Sequence, residues 1–550
     1  MNQAVSAHNR PIHALRILPE KCTGCVLCMK ACPNQAIRVH DGKAVIRFDH
    51  CVACGACYRV CPADAIEPIS SSLKRIKDFA HPVAVPSPAL FAQFGYKVTP
   101  NQVMLALRAL GFEEVVDTCW TAEMVATAMT EYLQTHPETR PGISPTCPAV
   151  VRLIAMRFPS LVPNVMPLLS PQTLAAKWIK TRTSIERGWD IKSVGVFIIS
   201  PCVAIRPTVE DPLSVKRPYV DGIICASEIY GHILHALPRL KDDSQRIQRA
   251  SGVGIAWAGA GGQVNSVDCD YSLSVSGFSE VVNMLEMLEA GRFPELSFVE
   301  AHICAGGCLG GPLTVENRYR AASVKDSFIK RFGLHSDVDR DKIRELCRLG
   351  AFGWETKLLP HPLPPLAPDP LEALQKVQQI QEIKSRLPML ECGVCGAPNC
   401  HTFAEDVALG RAQEGSCPYI KPMPSGETRG SDREDTVTVK DIVDKLGLEV
   451  LAGAGGLGRR VSAGYVSDLL SDVMAKAPAE CLWLTVQTHQ NVAAVAVLKD
   501  LAAVCLVGGR RPNDDTLAKA AEEGLPLLRS ELDAYSLASR LSEIGLRGQA

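Results

Sequence analysis

The placement of cysteine constrains this chain more than any other feature. Of 22 cysteines in 550 residues, eight lie between Cys22 and Cys61, four lie between Cys392 and Cys417, and ten are scattered. The first eight form two runs, Cys22-x2-Cys25-x2-Cys28-x3-Cys32-Pro33 and Cys51-x2-Cys54-x2-Cys57-x3-Cys61-Pro62. Runs of this spacing wrap backbone around a cubane iron–sulfur cluster, and the fourth cysteine of each run crosses to the other cluster. The spacing therefore predicts one [4Fe-4S] cluster on Cys22, Cys25, Cys28 and Cys61, and a second on Cys51, Cys54, Cys57 and Cys32. Gly24, Ala53, Gly55 and Ala56 keep the turns open for amide–sulfur hydrogen bonds. Zinc, the competing reading, usually takes two cysteine pairs and would leave half of these thiols unused.

Composition narrows the rest. The 58 basic and 59 acidic residues nearly cancel, which removes the basic excess of a nucleic-acid-binding surface. A hydrophobic content of 47% against 21% charged residues supports sizeable cores. No run approaches the ~18 apolar residues of a membrane span, and Val194–Ile205 is broken by Ser200, Pro201 and Cys202. The opening residues lack the apolar stretch of a signal peptide, so the expectation is a cytoplasmic, metal-binding protein rather than a secreted disulfide scaffold.

After the cysteine-rich head, periodicity predicts helices at 99–110 and 120–133, strands at 115–117 and 194–200, and a weaker strand at 252–257. Four cysteines here have unusual surroundings. Cys147 precedes Pro148, Cys202 follows Pro201, and Cys304-Ala305-Gly306-Gly307-Cys308 runs on to Gly310-Gly311. Glycine around paired thiolates suits backbone wrapped closely on an inorganic cofactor. Cys119, Cys225, Cys269 and Cys347 read as structural core cysteines.

On these motifs the chain resembles two families. Residues 13–70 are similar to a bacterial two-cluster ferredoxin, and residues 71–353 resemble the catalytic domain of [FeFe]-hydrogenases. That domain carries three cysteine signatures around a [4Fe-4S] cubane, which one cysteine joins to a diiron centre bearing CO and cyanide. Ser144–Val150 (SPTCPAV), Ser200–Ile205 (SPCVAI) and Glu300–Gly311 (EAHICAGGCLGG) match the three. The resemblance implies that Cys147, Cys202, Cys304 and Cys308 hold the cubane, that Cys308 bridges any diiron unit, and that Gln172 lies near the bridging CO.

The departures fall on the catalytic positions. Thr146 stands where proton-reducing members have the cysteine that passes protons, and a hydroxyl titrates far too high to replace a thiol as an acid. Ile205 replaces the lysine that bonds a cyanide, with Arg206 one position late. Ser200 replaces a methionine of the cofactor pocket, and Met166 a serine of the proton route. Of the relay glutamates only Glu131 is nearby. Glu300 is kept, whereas His302 and Ile303 replace the customary pair. The expectation is an electron-transfer or redox-sensing protein without a confident catalytic residue. The alternatives are a slow or sensory hydrogenase, or another iron–sulfur oxidoreductase.

Residues 354–385 comprise a proline-rich stretch, expected to hold the next module apart from the core, and a helix. Residues 386–420 bring Cys392, Cys395, Cys400 and Cys417, a spacing that suits zinc as well as a cubane. The segment resembles the small four-cysteine iron–sulfur domain of Rnf-type electron-transfer subunits and corrinoid iron–sulfur proteins, which implies a further [4Fe-4S] cluster. A polar linker, 421–436, leads to an α/β tail, 437–548. There the pattern predicts helices at 439–446, 466–474 and 491–500, and strands at 449–451, 481–485 and 502–506. The glycines from Gly453 to Gly456 lack the end of a phosphate loop and read as a turn. The tail resembles a DRTGG regulatory domain through Arg460–Gly464, sharing only the last glycine, and suggests self-association or a signalling partner. Thr485 and Gln487–Gln490 form a polar run proposed as a ligand edge.

The whole is expected to be multidomain α/β: a ferredoxin-like two-cluster α+β head, an [FeFe]-hydrogenase-like α/β core, a small helical Fe-S domain and an α/β regulatory tail. Four [4Fe-4S] clusters are expected, with a low-potential electron donor or acceptor as partner, and neither nucleic acid nor membrane span.

Overall fold

The apolar run Val194–Ser200 forms a strand buried along its whole length, as sequence predicts. It lies second from the edge in a four-stranded parallel sheet whose order is Glu114–Val115, His81–Pro86, Val194–Ser200, Gly222–Cys225. A second parallel sheet sets Phe298–His302 between Ser272–Ser276 and Gly142–Ile143. Parallel strands buried on both faces read as continuous apolar runs, which makes Val194–Ser200 legible, whereas the two-residue strand Gly142–Ile143 is too short to show such a run. The computed structural model describes residues 14–210, 214–216, 218–240, 245–420 and 437–546. They divide into two compact units, 1–423 and 424–550.

Helix ends follow local chemistry. The helix Pro100–Ala109 starts at Thr99, whose hydroxyl accepts the Gln102 amide while the Gln102 side chain takes the Thr99 amide in return. The expected strand at 115–117 is shorter, Glu114–Val115, because Asp117 caps the helix Thr118–Thr135 and also accepts the amides of Arg249 (2.6 Å) and Ala250 (2.8 Å). The expected strand at 252–257 is instead a helix, Gly252–Ala256. Buried Glu123 accepts the amides of Ser251 (2.7 Å) and Gly254 (3.2 Å), supplying from another element the acceptor that starts it.

In the head, antiparallel pairs Leu15–Ile17 with Ile66–Pro68 and Ile37–His40 with Lys43–Ile46 flank two one-turn helices, Leu27–Lys30 and Ala56–Arg59. One apolar cluster runs from Met29, Ile37 and Val52 of the head into Val150, Ile154 and Val299 of the core. The proline-rich stretch is laid on the core rather than standing free. The Trp354 indole donates to the Leu168 carbonyl (2.6 Å), Glu355 pairs with Lys177 (2.9 Å), and the His361 amide donates to the Ala155 carbonyl (2.8 Å). The helices Pro370–Arg386 and Cys400–Ala408 then pack together over Phe403 and Ile383. The linker 421–436 lies outside the described residues.

The second unit is a five-stranded sheet in the order Glu449–Ala452, Leu527–Arg529, Ala503–Leu506, Cys481–Thr485, Ala463–Val466, antiparallel only at the first pair. The helix expected at 466–474 is in fact the end of the strand Ala463–Val466, a turn and the helix Leu470–Lys476. Pairing with Cys481–Thr485 overrides helical periodicity there. Gly453–Gly456 is a turn, as read.

Candidate metal centres

The cysteines of the head sort by space rather than by run. Cys22, Cys25, Cys28 and Cys61 line one cavity with Ile17, Val39 and Ile66. Burial, with the thiols of Cys22, Cys25 and Cys61 nearby, pushes the Cys28 thiol up to about 11. Burial likewise raises Cys54 to about 12, with Cys32 and Cys51 adding to it, and burial also raises Cys57, with Cys54, Cys51 and Cys32 adding to it. Backbone amides point at sulfur: Ala36 to Cys32 (3.2 Å), Ala44 to Cys22 (3.4 Å), Ala53 to Cys51 (3.4 Å) and Ala65 to Cys61 (3.2 Å). Such bonds stabilise a thiolate once metal has displaced its proton.

The four core cysteines come together from both sheets. Cys147 follows the strand Gly142–Ile143 and stands at the N-terminus of the helix Pro148–Arg157. Cys202 follows Val194–Ser200, and Cys304 and Cys308 follow Phe298–His302. All leave carboxyl ends of parallel strands, where open α/β sheets place their ligands. With Ala53 and Cys54 of the head they line one cavity. Burial is the main cause that raises each thiol: Cys202 to about 12, Cys304 and Cys308 with contributions from one another or from Cys202 and Cys147. Backbone amides of Ile303, Val150 and Ala149 near the Cys147 sulfur offset part of that rise. A half-buried thiol quartet with backbone N–H groups near it and an open volume between its members fits a cluster carrying its own positive iron. Among the described residues, no three His, Cys, Asp or Glu groups are close enough to hold a single metal ion.

Of the other expected positions, Gln172, Ile205, Ser200 and Thr146 all line this cavity. Gln172 projects from the first turn of Pro171–Trp178, a helix capped by Ser170. The Ser200 hydroxyl accepts the Cys202 amide (3.0 Å) and so shapes the cysteine turn. Two expected relay positions, and the arginine next to Ile205, lie elsewhere. Met166 is buried against Gly142, Glu131 pairs with Arg344 (3.3 Å), and the Arg206 guanidinium donates to the Ile69 carbonyl (3.1 Å).

A polar network that sequence reading did not assemble backs the cysteine turns. Thr146 shares hydrogen bonds with Ser144 (2.9 Å) and with the Gln263 amide group (2.8 Å), and Ser144 donates to the Gln263 carbonyl oxygen (2.5 Å). Glu300, 0% exposed, accepts the amides of Gly261 (3.0 Å), Gln263 (3.2 Å) and Val264 (3.1 Å) and meets His302 at 2.8 Å. The carboxylate thereby fastens the 258–264 loop beneath Cys308, where a Cβ on Gly307 would sit 2.5 Å from the Ala260 nitrogen. The only local signal for Gln263 was its place directly after the glycine-rich Ala258–Gly262. Replacing Glu300 with Gln turns one of its two acceptor oxygens into an amide NH2 that faces backbone N–H donors, and the expected loss is roughly 2–3 kcal/mol in urea unfolding followed by tryptophan fluorescence.

The three cysteine-bearing regions are contiguous. Ala53 and Cys54 line the core cavity, Cys54 contributes to raising Cys304, and the Arg59 guanidinium donates to the Gly311 carbonyl. On the other side, the 386–420 module packs on the head, although the proline-rich stretch was expected to hold it apart from the core. The Val39 amide donates to the Gly396 carbonyl (2.9 Å), and Lys30 donates to the carbonyls of Pro398 (2.6 Å) and Glu391. The Thr402 hydroxyl donates to Gln35 (2.6 Å). Gly396, at φ +81°, lies so close that a Cβ would run into the Val39 carbonyl. Asp406 is buried between Arg38 and Arg47 (3.3 Å to Arg47), with Arg38 and Asp406 side chains each 5% exposed. In the module, burial first and then Cys417 and Cys392 raise the Cys395 thiol.

In the second unit the Thr485–Gln490 run ends the strand Cys481–Thr485. Asp468 accepts both the Thr485 hydroxyl (3.0 Å) and the Val486 amide (2.8 Å), so this polarity serves the turn.

Comparison with known proteins follows these regions. The C-terminal domain of the iron-only hydrogenase large subunit matches residues 80–312, a 4Fe-4S dicluster domain matches 14–62, and an Fe-S cluster domain matches 387–419. Iron hydrogenase 1 of Clostridium pasteurianum is 24% identical over 264 residues, 40% of this chain and 46% of that protein, so the match spans less than half of the relative. An apo [FeFe]-hydrogenase from Chlamydomonas reinhardtii is 16% identical at a TM-score of 0.42, over 54% of this chain and all of that chain (100%). The CBS and DRTGG regulatory region of a Clostridium perfringens pyrophosphatase is 13% identical at a TM-score of 0.17, over 20% of this chain and 50% of that one. The chain is thus hydrogenase-large-subunit-like, with iron–sulfur cluster-binding domains and the redox, electron-transfer character they carry. Among the described residues no helix is long and apolar enough to cross a membrane.

Proposed function

We propose that the chain is an electron-transfer or redox-sensing protein, in which clusters on the head and the 386–420 module exchange electrons with a cubane on Cys147, Cys202, Cys304 and Cys308. The observation that carries this reading is the contiguity of the cysteine sets from Gly396 at one end to Cys308 at the other. Electron tunnelling falls off steeply with distance, so sets packed against one another define a route. The head takes Cys61 with the first run and Cys32 with the second. The tail, 437–548, is a regulatory α/β domain.

A second reading, a slow or sensory [FeFe]-hydrogenase, is favoured by the cavity itself. It holds space next to Cys308, with Gln172 and Ser87 on its wall, where a diiron unit would supply hydrogen chemistry. Against it stands Ile205, an apolar wall where a cyanide ligand asks for a charged donor, a bond worth roughly 1.5–3 kcal/mol. Infrared spectra of anaerobically purified protein separate the two, because CO and cyanide absorb where polypeptide does not.

Anaerobic reconstitution is expected to give four cubanes, about sixteen iron atoms per chain, with little zinc. A reproducible value near eight would remove the core and the 386–420 module from the assignment.

A further inference from the structure

We infer that the groove between Leu73–Asp78 and the helix Ala226–Ala236 is a binding site for a small amphipathic monocarboxylate, an apolar body carrying one anionic end. The site stands apart from the cysteine sets, and its assignment does not depend on the redox reading above.

The stretch Leu73–Asp78 (LKRIKD) forms a 3-10 helix that starts at Ser72, whose side chain accepts the Lys74 amide (3.3 Å). Three residues per turn bring positions i and i+3 into line. Leu73 and Ile76 therefore form one stripe, and Lys74 and Lys77 the next. The apolar stripe faces a cavity of about 370 Å³ and floors it with Leu110, Ile224 and Ile229. Ile76, Ile224 and Ile229 are 4%, 1% and 1% exposed, so the floor is fixed core rather than mobile surface. A concavity of this size, with an apolar floor and a few polar groups at its edge, has the make-up of a small-molecule site.

The rim selects the ligand's charge. Lys74 and Lys77 line the groove and are exposed. Arg75 of the same turn pairs with Asp78 (3.9 Å), whereas among the described residues the ammonium groups of Lys74 and Lys77 have no carboxylate within ion-pair distance. At ~2 Å rise per residue the two lysines stand about 6 Å apart along the helix, a span that one carboxylate can bridge. Across the groove lie Glu228 and His232, one turn apart on Ala226–Ala236. The Ser70 hydroxyl donates to the Glu228 carboxylate (2.5 Å) and holds that negative charge at the rim. Two ammonium groups against one carboxylate leave a single positive charge to be answered. A monoanion answers it, whereas a dianionic headgroup such as a phosphate monoester meets Glu228 with a surplus charge. With its carboxylate on Lys74 and Lys77, the ligand lays its apolar body over Ile76, Ile224 and Ile229.

The test is isothermal titration calorimetry on the full, anaerobically reconstituted protein, with sodium decanoate below its micelle concentration as the probe. One decanoate should bind per chain, and binding should weaken as salt is raised. Lys74→Gln/Lys77→Gln, which leaves the floor intact, should lower the affinity about tenfold, the combined effect of two exposed ion pairs. Glu228→Gln removes the like charge and should raise the affinity about two- to fivefold, a gain that a merely weakened fold would not give. Acetate, which lacks the body, and decanol, which lacks the charge, should each bind at least about tenfold more weakly than decanoate. Decyl phosphate binding more tightly than decanoate would overturn the choice of a monocarboxylate. Decanoate binding that ignores both rim variants would overturn the site itself. So would uptake of several equivalents without saturation, which is adsorption to exposed apolar surface.

Discussion

Asp406→Ala is expected to destabilise the unit containing the head and the 386–420 module by roughly 3–5 kcal/mol, because it strands two guanidinium groups without their buried acceptor. Arg38 and Arg47 both reach this carboxylate, and the Arg38 pair is 5% exposed on each side. The readout is urea unfolding monitored by loss of iron–sulfur absorbance. Signals of the Cys22/25/28/61 set and of the 392–417 set should disappear together, since the residues that seat the module also wall the head cavity. The apolar double change Arg38→Met/Asp406→Leu should recover much of the loss, as replacing a whole buried pair is far milder than breaking it. An Asp406→Ala protein as stable as the unmodified one would mean that the two modules do not share this interface.

Hydrogen evolution by the unmodified protein should lie at least ~10²–10⁴-fold below that of a competent hydrogenase, the contribution of positioned proton transfer. The Thr146 oxygen is already engaged by Ser144 and Gln263, Met166 is buried in the core, and Glu131 is paired with Arg344. Thr146→Cys restores only the innermost donor. With a diiron unit in place it should raise turnover while leaving it well short of full activity. With a cubane alone, neither it nor its combination with Ile205→Lys should produce hydrogen. The measurement is activity with a low-potential donor after co-expression with the maturation machinery, read alongside infrared spectra and iron content. Rapid evolution by the unmodified chain would overturn the argument from Thr146, Met166 and Ile205.

Features carried by neighbouring residues were legible in the sequence. The two cysteine runs, the strand Val194–Ser200, the capped helix after Thr99 and the helix Val439–Leu446 all follow from local spacing, capping and hydropathy. Features decided by distant partners were not. The 252–257 segment became helical because Glu123 accepts its first amides, and the 463–466 segment became a strand because Cys481–Thr485 pairs with it. Asp406 looked like one more charge on a small helix, since its partners Arg38 and Arg47 stand at the other end of the unit's sequence. The Thr146–Gln263–Glu300 network likewise draws on three separate segments, so no single window contained it.

The two kinds of cysteine set imply different times of birth. In the head, three of the four thiols of each set come from one short stretch of sequence, so most of the set is local to that turn. Cys147, Cys202 and Cys304 arrive on three strands of two different sheets, and no pair among them is local. Contacts so far apart in sequence form late, after the loops between them have closed. The core set is therefore a product of the tertiary fold rather than of any local turn. Its integrity depends on both parallel sheets at once, whereas most of each head set depends only on the turn that carries it.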